Sequence, residues 1–262
     1  MSGIWGEGQA PLPEEMFLQS IYQLVRSDDS EVSVEKDESL YLRPLEIATD
    51  QRLLAQPSLT YLYVLMASPV ADYFPRGIRP VRVWMSTDYS RATPGGTGEA
   101  KCAGNYAAAM LAQKEGAAHS CEQVVWLDSV EHRYVEEMGG MNCFFIFSND
   151  HLVTPALTGT ILAGVTRDSI LQLGSDMGLV VEERRISKDE WEECARDGSL
   201  REVFACGTAA VVTPVGEVVH AAGSFAIGNG TSGELTLRIR ETLLGMQKGL
   251  IEDVHGWMER IE

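Results

Sequence analysis

The chain has 262 residues, 45% of them hydrophobic, and its 38 acidic against 21 basic side chains give a formal charge of −17. That apolar content suffices for one large or two small cores and excludes a disordered chain, while the acidic balance argues against a nucleic-acid partner. No run approaches the ~18 apolar residues of a membrane span, and the N-terminal MSGIWGEGQAPLPEE lacks a basic stretch followed by an apolar one, so a cytoplasmic protein with no membrane partner is expected.

After that proline-bearing start, PEEMFLQSIYQLVRSD places Phe17, Ile21, Leu24 and Val25 on one helical face. An acidic loop leads to SLYLRPLEIAT and LTYLYVLMASPV, whose β-branched, aromatic and leucine content predicts strands. PRGIRPV has the proline and glycine of a linker, which divides the chain into residues 1–75, a linker at 76–88 and a second part at 89–262. There, Asn105 to Glu115 predicts a helix and EQVVWLDSV a strand. RYVEEMGGMNCFFIFS predicts a strand, a bend at Gly139-Gly140 and a second, nearly all-apolar strand, which brings Glu137 close to a buried centre. Gly164-Val165-Thr166 precedes RDSILQLGSDMG, where Ile170, Leu173 and Met177 recur with helical spacing. VVEERRIS, REVFACGTAAVVTPVG and EVVHAAGSFAIG read as strands, and GELTLRIRETLLGMQKGLIEDVHGWM contains a C-terminal helix. Five cysteines, Cys102, Cys121, Cys143, Cys194 and Cys206, form no CxxC pair, so neither a disulfide framework nor a metal site is signalled.

The segment from Gly95 to Tyr106, GGTGEAKCAGNY, sets one lysine in a glycine-rich bend. Glycine permits positive φ and close backbone approach, so Lys101 can be pressed into a tight pocket. Desolvation there disfavours the ammonium and supplies the neutral amine that attacks an aldehyde. The spacing is not that of a phosphate-binding P-loop, because no Ser or Thr follows Lys101. Taken alone, the loop also fits an ordinary turn with a solvated lysine.

Six blocks in one order, SLYLRP, GGTGEAKCAGNYAAAMLAQ, QVVWLD, VEEMGGMNCFFIF, LTGTILAGVTRDSI and EVFACGTAAVVTPVG, resemble branched-chain amino acid aminotransferases, pyridoxal-phosphate enzymes of fold type IV. The resemblance covers the chain from about residue 11 onward. It implies an α/β (α+β) fold, with a truncated small α/β domain at 1–75 and a larger pseudo-barrel domain at 89–262 that binds pyridoxal 5′-phosphate. Lys101 matches the lysine that forms the Schiff base with the cofactor and later moves a proton between the substrate Cα and the cofactor C4′. Glu137 matches the glutamate that keeps the pyridinium nitrogen protonated, and its strand neighbour Glu136 is then expected at the surface. Tyr106 matches the tyrosine beside the cofactor's phenolic oxygen, with a packed helix-start aromatic as the alternative. Val165 and Thr166 match positions whose backbone N–H groups hold the phosphate, and Thr208 matches a hydroxyl ligand to it, with a strand threonine satisfied by the sheet as the alternative. Arg91 matches an arginine near the cofactor, with a surface ion pair as the alternative. Tyr41 and Arg43 match the pocket entrance and suit a 2-oxo acid carboxylate; Ala209 and Ala210 either let backbone N–H groups approach it or serve as core packing.

Family members carry a longer N-terminal segment, of which only about ten unmatched residues stand here, so an uncovered sheet edge and the loss of a phosphate-anchoring arginine and of aromatic pocket walls are expected. Three functions fit at this point. One is a homodimeric aminotransferase moving the amino group of leucine, isoleucine or valine to 2-oxoglutarate by ping-pong chemistry. Another is a related transaminase with a different amino acid substrate. The third is a truncated, inactive homologue with a binding role.

Overall fold

A computed structural model describes residues 12–28, 38–54, 56–70 and 78–261. These fall into two compact units, a smaller one of residues 12–70 with 253–261 and a larger one of residues 78–252.

The smaller unit holds α1 (Glu14–Ser27), β1 (Ser39–Ala48) and β2 (Tyr61–Val70). Glu14 and Glu15 lie in the first turn of α1 and Arg26 in the last, charges that complement the helix dipole. β1 and β2 form an antiparallel hairpin in register from Ser39 opposite Val70 to Ala48 opposite Tyr61. Asp50 ties the base of its loop by accepting from the Leu59 N–H at 2.8 Å and from Thr60 Oγ1 at 2.5 Å. α1 packs on β2 through Phe17, whose ring stands edge-on to Tyr63 at 6.3 Å, and Ser20 Oγ lies 3.0 Å from the Tyr63 hydroxyl. Residues 253–261, expected with the second part, belong here instead: the chain leaves its last helix through Gly249 at φ +66°, and the Tyr22 hydroxyl donates to Glu259 Oε1 at 3.2 Å.

The larger unit runs β3 (Val81–Met85), α2 (Gly104–Ala118), β4 (Gln123–Leu127), β5 (Val135–Met138), β6 (Met141–Phe147), β7 (His151–Thr154), α3 (Val165–Asp176), β8 (Val180–Glu183), α4 (Lys188–Asp197), β9 (Leu200–Gly207), β10 (Val211–His220), β11 (Gly223–Ala226) and α5 (Glu234–Gln247). One sheet has the order β11-β10-β3-β4-β5-β6-β7-β8, and β9 pairs with both β10 and β6. That double pairing closes β10, β3, β4, β5, β6 and β9 into a barrel, from which β11 and the pair β7-β8 continue as flanking strands. β10 is long enough to serve two neighbours, β9 through Val211–Val215 and β3 through Val215–Val219.

Strand periodicity decides which side chains fill the barrel. Val81, Val83 and Met85, Val125 and Leu127, Cys143 and Phe145, and Val203 and Ala205 recur at every second position in one buried cluster. The alternating residues Phe144, Ile146, Phe204 and Cys206 pack with Ile170 of α3 and Ile239 of α5. Trp84, Val124 and Trp126 likewise pack with Ala109 and Ala112 of α2. Burial on both faces explains why β6 reads as a nearly unbroken apolar run.

Three features depart from the sequence expectations. The segment 76–88, expected as a linker, contains β3, a strand between β10 and β4; the prolines and glycine that suggest a linker precede it, and the strand begins directly after Pro80. REVFACGTAAVVTPVG is two strands, because the chain turns over Thr208–Ala210 and Val211 takes φ +57°. α4 and β7 have no counterpart among the expected elements, although Ser187 caps α4 by accepting from the Glu190 N–H at 3.1 Å and Gly198 ends it at φ +81°. All five cysteines are free, and among the described residues no helix is long and apolar enough to cross a membrane.

Trp191 of α4 is 1% exposed and stands edge-on to Phe145 at 5.1 Å and to Phe225 at 6.0 Å. Trp191→Ala should cost about 3–5 kcal/mol in denaturant unfolding. A loss below about 1 kcal/mol would show that the barrel closes without this plug.

Candidate active site

The β5–β6 hairpin turns over two glycines. Gly139 has φ +59°, and a Cβ there would lie 2.4 Å from Gln123 Oε1, so no other residue fits without rearrangement. Trp126 Nε1 donates to the Gly139 carbonyl at 2.8 Å and fixes the bend. The register places Glu137 opposite Asn142, on one face. Glu137 is 2% exposed; Arg91 Nε lies 3.0 Å from its Oε2, and its Oε1 accepts from the Leu162 N–H at 2.9 Å. Burial pushes the Glu137 carboxyl up to about 7, against the pull of Arg91, the Leu162 N–H and Lys101.

Arg91, itself 8% exposed, does more than pair with Glu137. Its Nη2 donates to the Gly98 carbonyl at 3.0 Å and also to the Thr160 carbonyl. One guanidinium thereby joins the lysine loop, the loop before α3 and the β5 carboxylate. The pair is buried, not a surface ion pair. Gly98 makes this approach possible, since a Cβ would stand 2.4 Å from Ala92 Cβ and 2.6 Å from the Thr160 carbonyl oxygen. Buried Asn105, at the start of α2, pins the loop from the other side by donating to the carbonyls of Thr97 at 2.7 Å and Ala100 at 2.9 Å.

Lys101 emerges between these two anchors. The sequence predicts a lysine pressed into a pocket, but the side chain is exposed: Arg91 and Asn105 hold the backbone of its turn and leave the side chain to solvent. Its charge still acts on Glu137. Tyr106, one α2 residue beyond Asn105, lays its ring edge on the hairpin, with Cε1 3.6 Å from where a Cβ on Gly140 would be.

Two further backbone features lie nearby. Gly164, in extended conformation, caps α3, and the first helical bond runs from the Asp168 N–H to the Gly164 carbonyl at 3.0 Å. The N–H groups of Val165 and Thr166 therefore have no partner within the helix and point along its positive end. The turn carrying exposed Thr208, exposed Ala209 and buried Ala210 follows β9, whose Cys206 lies opposite Asn142, so it sits at the hairpin end of the sheet. Tyr41 and Arg43 lie in the smaller unit on one face of β1, with the Arg43 guanidinium carbon 5.0 Å from the Tyr41 ring centre.

Glu136 departs from expectation. It is buried, not at the surface, because the loop before α3 also covers its side of β5, where Thr160 Oγ1 donates to Glu136 Oε1. Burial pushes its carboxyl up too. Asn105, Asn142, Thr160 and Leu162 were not legible as site residues from the sequence; the signal to follow was Asn105 directly after Gly104 and Asn142 two residues after Gly140.

The donor set fits a phosphorylated pyridine aldehyde: an accessible amine, a buried carboxylate for a protonated ring nitrogen, and a helix N-terminus for a phosphate. The amino-transferase class IV family model matches residues 8–218. The branched-chain-amino-acid aminotransferase of Mycolicibacterium smegmatis is 55% identical over 254 residues, which span 95% of this chain and 69% of that protein. Among solved structures, the Escherichia coli branched-chain amino acid aminotransferase matches with TM-score 0.80 at 27% identity, over 96% of this chain and 78% of that one. A T.th. branched-chain amino acid aminotransferase with pyridoxamine 5′-phosphate matches with TM-score 0.79 at 28% identity, over 97% and 78%. The chain belongs to the class IV aminotransferases, the pyridoxal-phosphate-dependent transaminases of fold type IV.

Glu137 sets a pH dependence. Its folded value lies above that of an exposed glutamate, so it contributes stability that is fully present at low pH and lost as pH rises from 4.5 through about 7. In the cofactor-free protein, Glu137→Gln should flatten this part of the stability curve, measured by denaturant unfolding at stepped pH; curves of equal slope would contradict the assignment.

Proposed function

We propose that this protein is a branched-chain amino acid aminotransferase that moves the amino group of leucine, isoleucine or valine to 2-oxoglutarate in two successive half-reactions at one site. The observation that carries this reading is the tie, through Arg91, between the Lys101 loop and the buried Glu137 carboxylate. The named activity of the Mycolicibacterium smegmatis relative supports the substrate class.

Bound pyridoxal 5′-phosphate supplies an aldehyde carbon and an electron-withdrawing ring. Lys101 would be the amine that holds that carbon, and its Nζ would move a proton between the substrate Cα and C4′. An accessible lysine suits both roles, since substrate must reach it. Glu137, with its proton affinity near neutrality, shares a proton with the ring nitrogen, and Arg91 holds the carboxylate in place. The Val165 and Thr166 N–H groups and the Thr208 hydroxyl receive the phosphate. Tyr106, braced on the Gly140 bend, presents its hydroxyl to the phenolic oxygen. Toward a 2-oxo acid carboxylate the larger unit offers the N–H groups of Ala209 and Ala210; on the smaller unit, the stacked Tyr41 and Arg43 present a hydroxyl and a guanidinium from one strand face, chemistry that suits the same class of group. A homodimer belongs to this reading, supported by Met110 and Leu111 of α2, which are 64% and 63% exposed. A cytoplasmic address also belongs to it, supported by five free cysteines.

With pyridoxal phosphate added, the protein should convert leucine and 2-oxoglutarate to glutamate with the parallel reciprocal plots of a two-step exchange, and Lys101→Ala should lower the rate by about a thousandfold or more. Bound cofactor without turnover of any branched-chain amino acid would contradict the substrate, and a wild-type rate in the lysine variant would contradict the site.

A further inference from the structure

Resting on the reading that pyridoxal phosphate occupies this site, we propose that Asn142 is a positioning residue that fixes the distance between Glu137 and the phosphate-holding end of α3. Glu137 and Asn142 are cross-strand partners on one face of the hairpin. Both reach the same residue of the loop before α3: Glu137 Oε1 accepts from the Leu162 N–H at 2.9 Å, and Asn142 Nδ2 donates to the Leu162 carbonyl at 2.9 Å. Leu162 is thus gripped at both ends of its backbone.

Two residues later comes Gly164, the N-cap of α3, and Asn142 touches it as well. A Cβ built on Gly164 would lie 2.4 Å from Asn142 Oδ1. The asparagine therefore sets both the hydrogen-bonded position of Leu162 and the closest approach of the helix cap, and at 6% exposure its own amide is held in place. The cofactor ring and its phosphate are joined by a short arm, so the two ends of the molecule demand a fixed spacing between their protein partners. A site held at that spacing before binding avoids the ordering cost of assembling it. The cross-strand pair is the direct connection between the group that serves the ring nitrogen and the N–H groups that serve the phosphate. Asparagine suits the task because its amide donates to Leu162 while its oxygen abuts the glycine; aspartate would set a carboxylate against the Leu162 carbonyl and close to a phosphate dianion.

The phosphate distinguishes this role from general stabilisation. Binding of pyridoxal phosphate and of pyridoxal, which lacks the phosphate, is measured on the 262-residue chain by visible absorbance and tryptophan fluorescence. Asn142→Ala should weaken pyridoxal phosphate about tenfold while pyridoxal binds as before. Asn142→Asp, which keeps the size of the side chain, should weaken pyridoxal phosphate further. Gly164→Ala, which pushes on the same contact from the helix side, should act like Asn142→Ala, and the double variant should be no worse than Asn142→Ala alone. Unchanged pyridoxal phosphate affinity in both Asn142 variants, or a parallel loss of pyridoxal and pyridoxal phosphate, would overturn the proposal while leaving the cofactor reading intact. A wild-type protein that shows no Lys101-dependent binding of pyridoxal phosphate would overturn the cofactor reading, and this proposal with it.

Discussion

The site depends on one buried ion pair. Arg91 and Glu137 are 8% and 2% exposed, so each charge carries a desolvation cost that the other offsets in part. Arginine is always protonated and its donors are fixed in a planar fork, so burying it creates a demand for acceptors that one carboxylate does not meet. Its Nη2 also donates to the Gly98 and Thr160 carbonyls. Those two segments are far apart in sequence but are held against one another because each supplies a backbone oxygen to the same side chain. The lysine loop, the hairpin and the loop before α3 are in this sense one assembly. Their mutual placement is a consequence of desolvating a single cation.

The barrel gives that assembly a rigid base. Because β9 pairs on both sides, the strands around it have no free edge along which register could slip, and apolar side chains fill both faces. The strand ends are then fixed points in space. The Gly139-Gly140 bend, the Thr208–Ala210 turn and the start of α3 converge at one such end, since Cys206 pairs with Asn142 and a Cβ on Gly164 would meet Asn142 Oδ1. Lys101 is an exposed side chain on a loop. It is also the residue whose proposed task requires movement between carbon atoms, and the structure holds its backbone firmly while leaving its amine accessible.

Much of the fold was legible where local chemistry and tertiary environment agree. The α1 stripe, the β1–β2 pair, the glycine hairpin and the α3 periodicity all follow from side-chain spacing, and each is present within a few residues of its expected bounds. β3 was hidden by the prolines and glycine before it, which mark where a strand begins as readily as where a linker runs. α4 was hidden because KDEWEECARD is mostly charged and owes its place to one tryptophan; its Ser187–Glu190 cap was the signal to follow. Within the site, residue types were legible but environments were not. Lys101 was conspicuous, yet its exposure depends on where Arg91 and Asn105 hold the loop. Strand alternation separates Glu136 from Glu137 but cannot show that a loop covers both. Asn142 and Leu162 matter only through partners 20 residues apart, a relation that no local pattern encodes.

The central claim is that Arg91 holds the two loops together through its Nη2 contacts. Hydrogen exchange of Arg91→Lys against the wild-type protein tests it most directly, because lysine keeps the charge beside Glu137 but lacks the fork that reaches the two carbonyls. The account predicts that amides in residues 96–101 and 158–162 exchange faster together in the variant while β6 and β9 keep their protection. Unchanged exchange in both loops, or faster exchange in one alone, would contradict it.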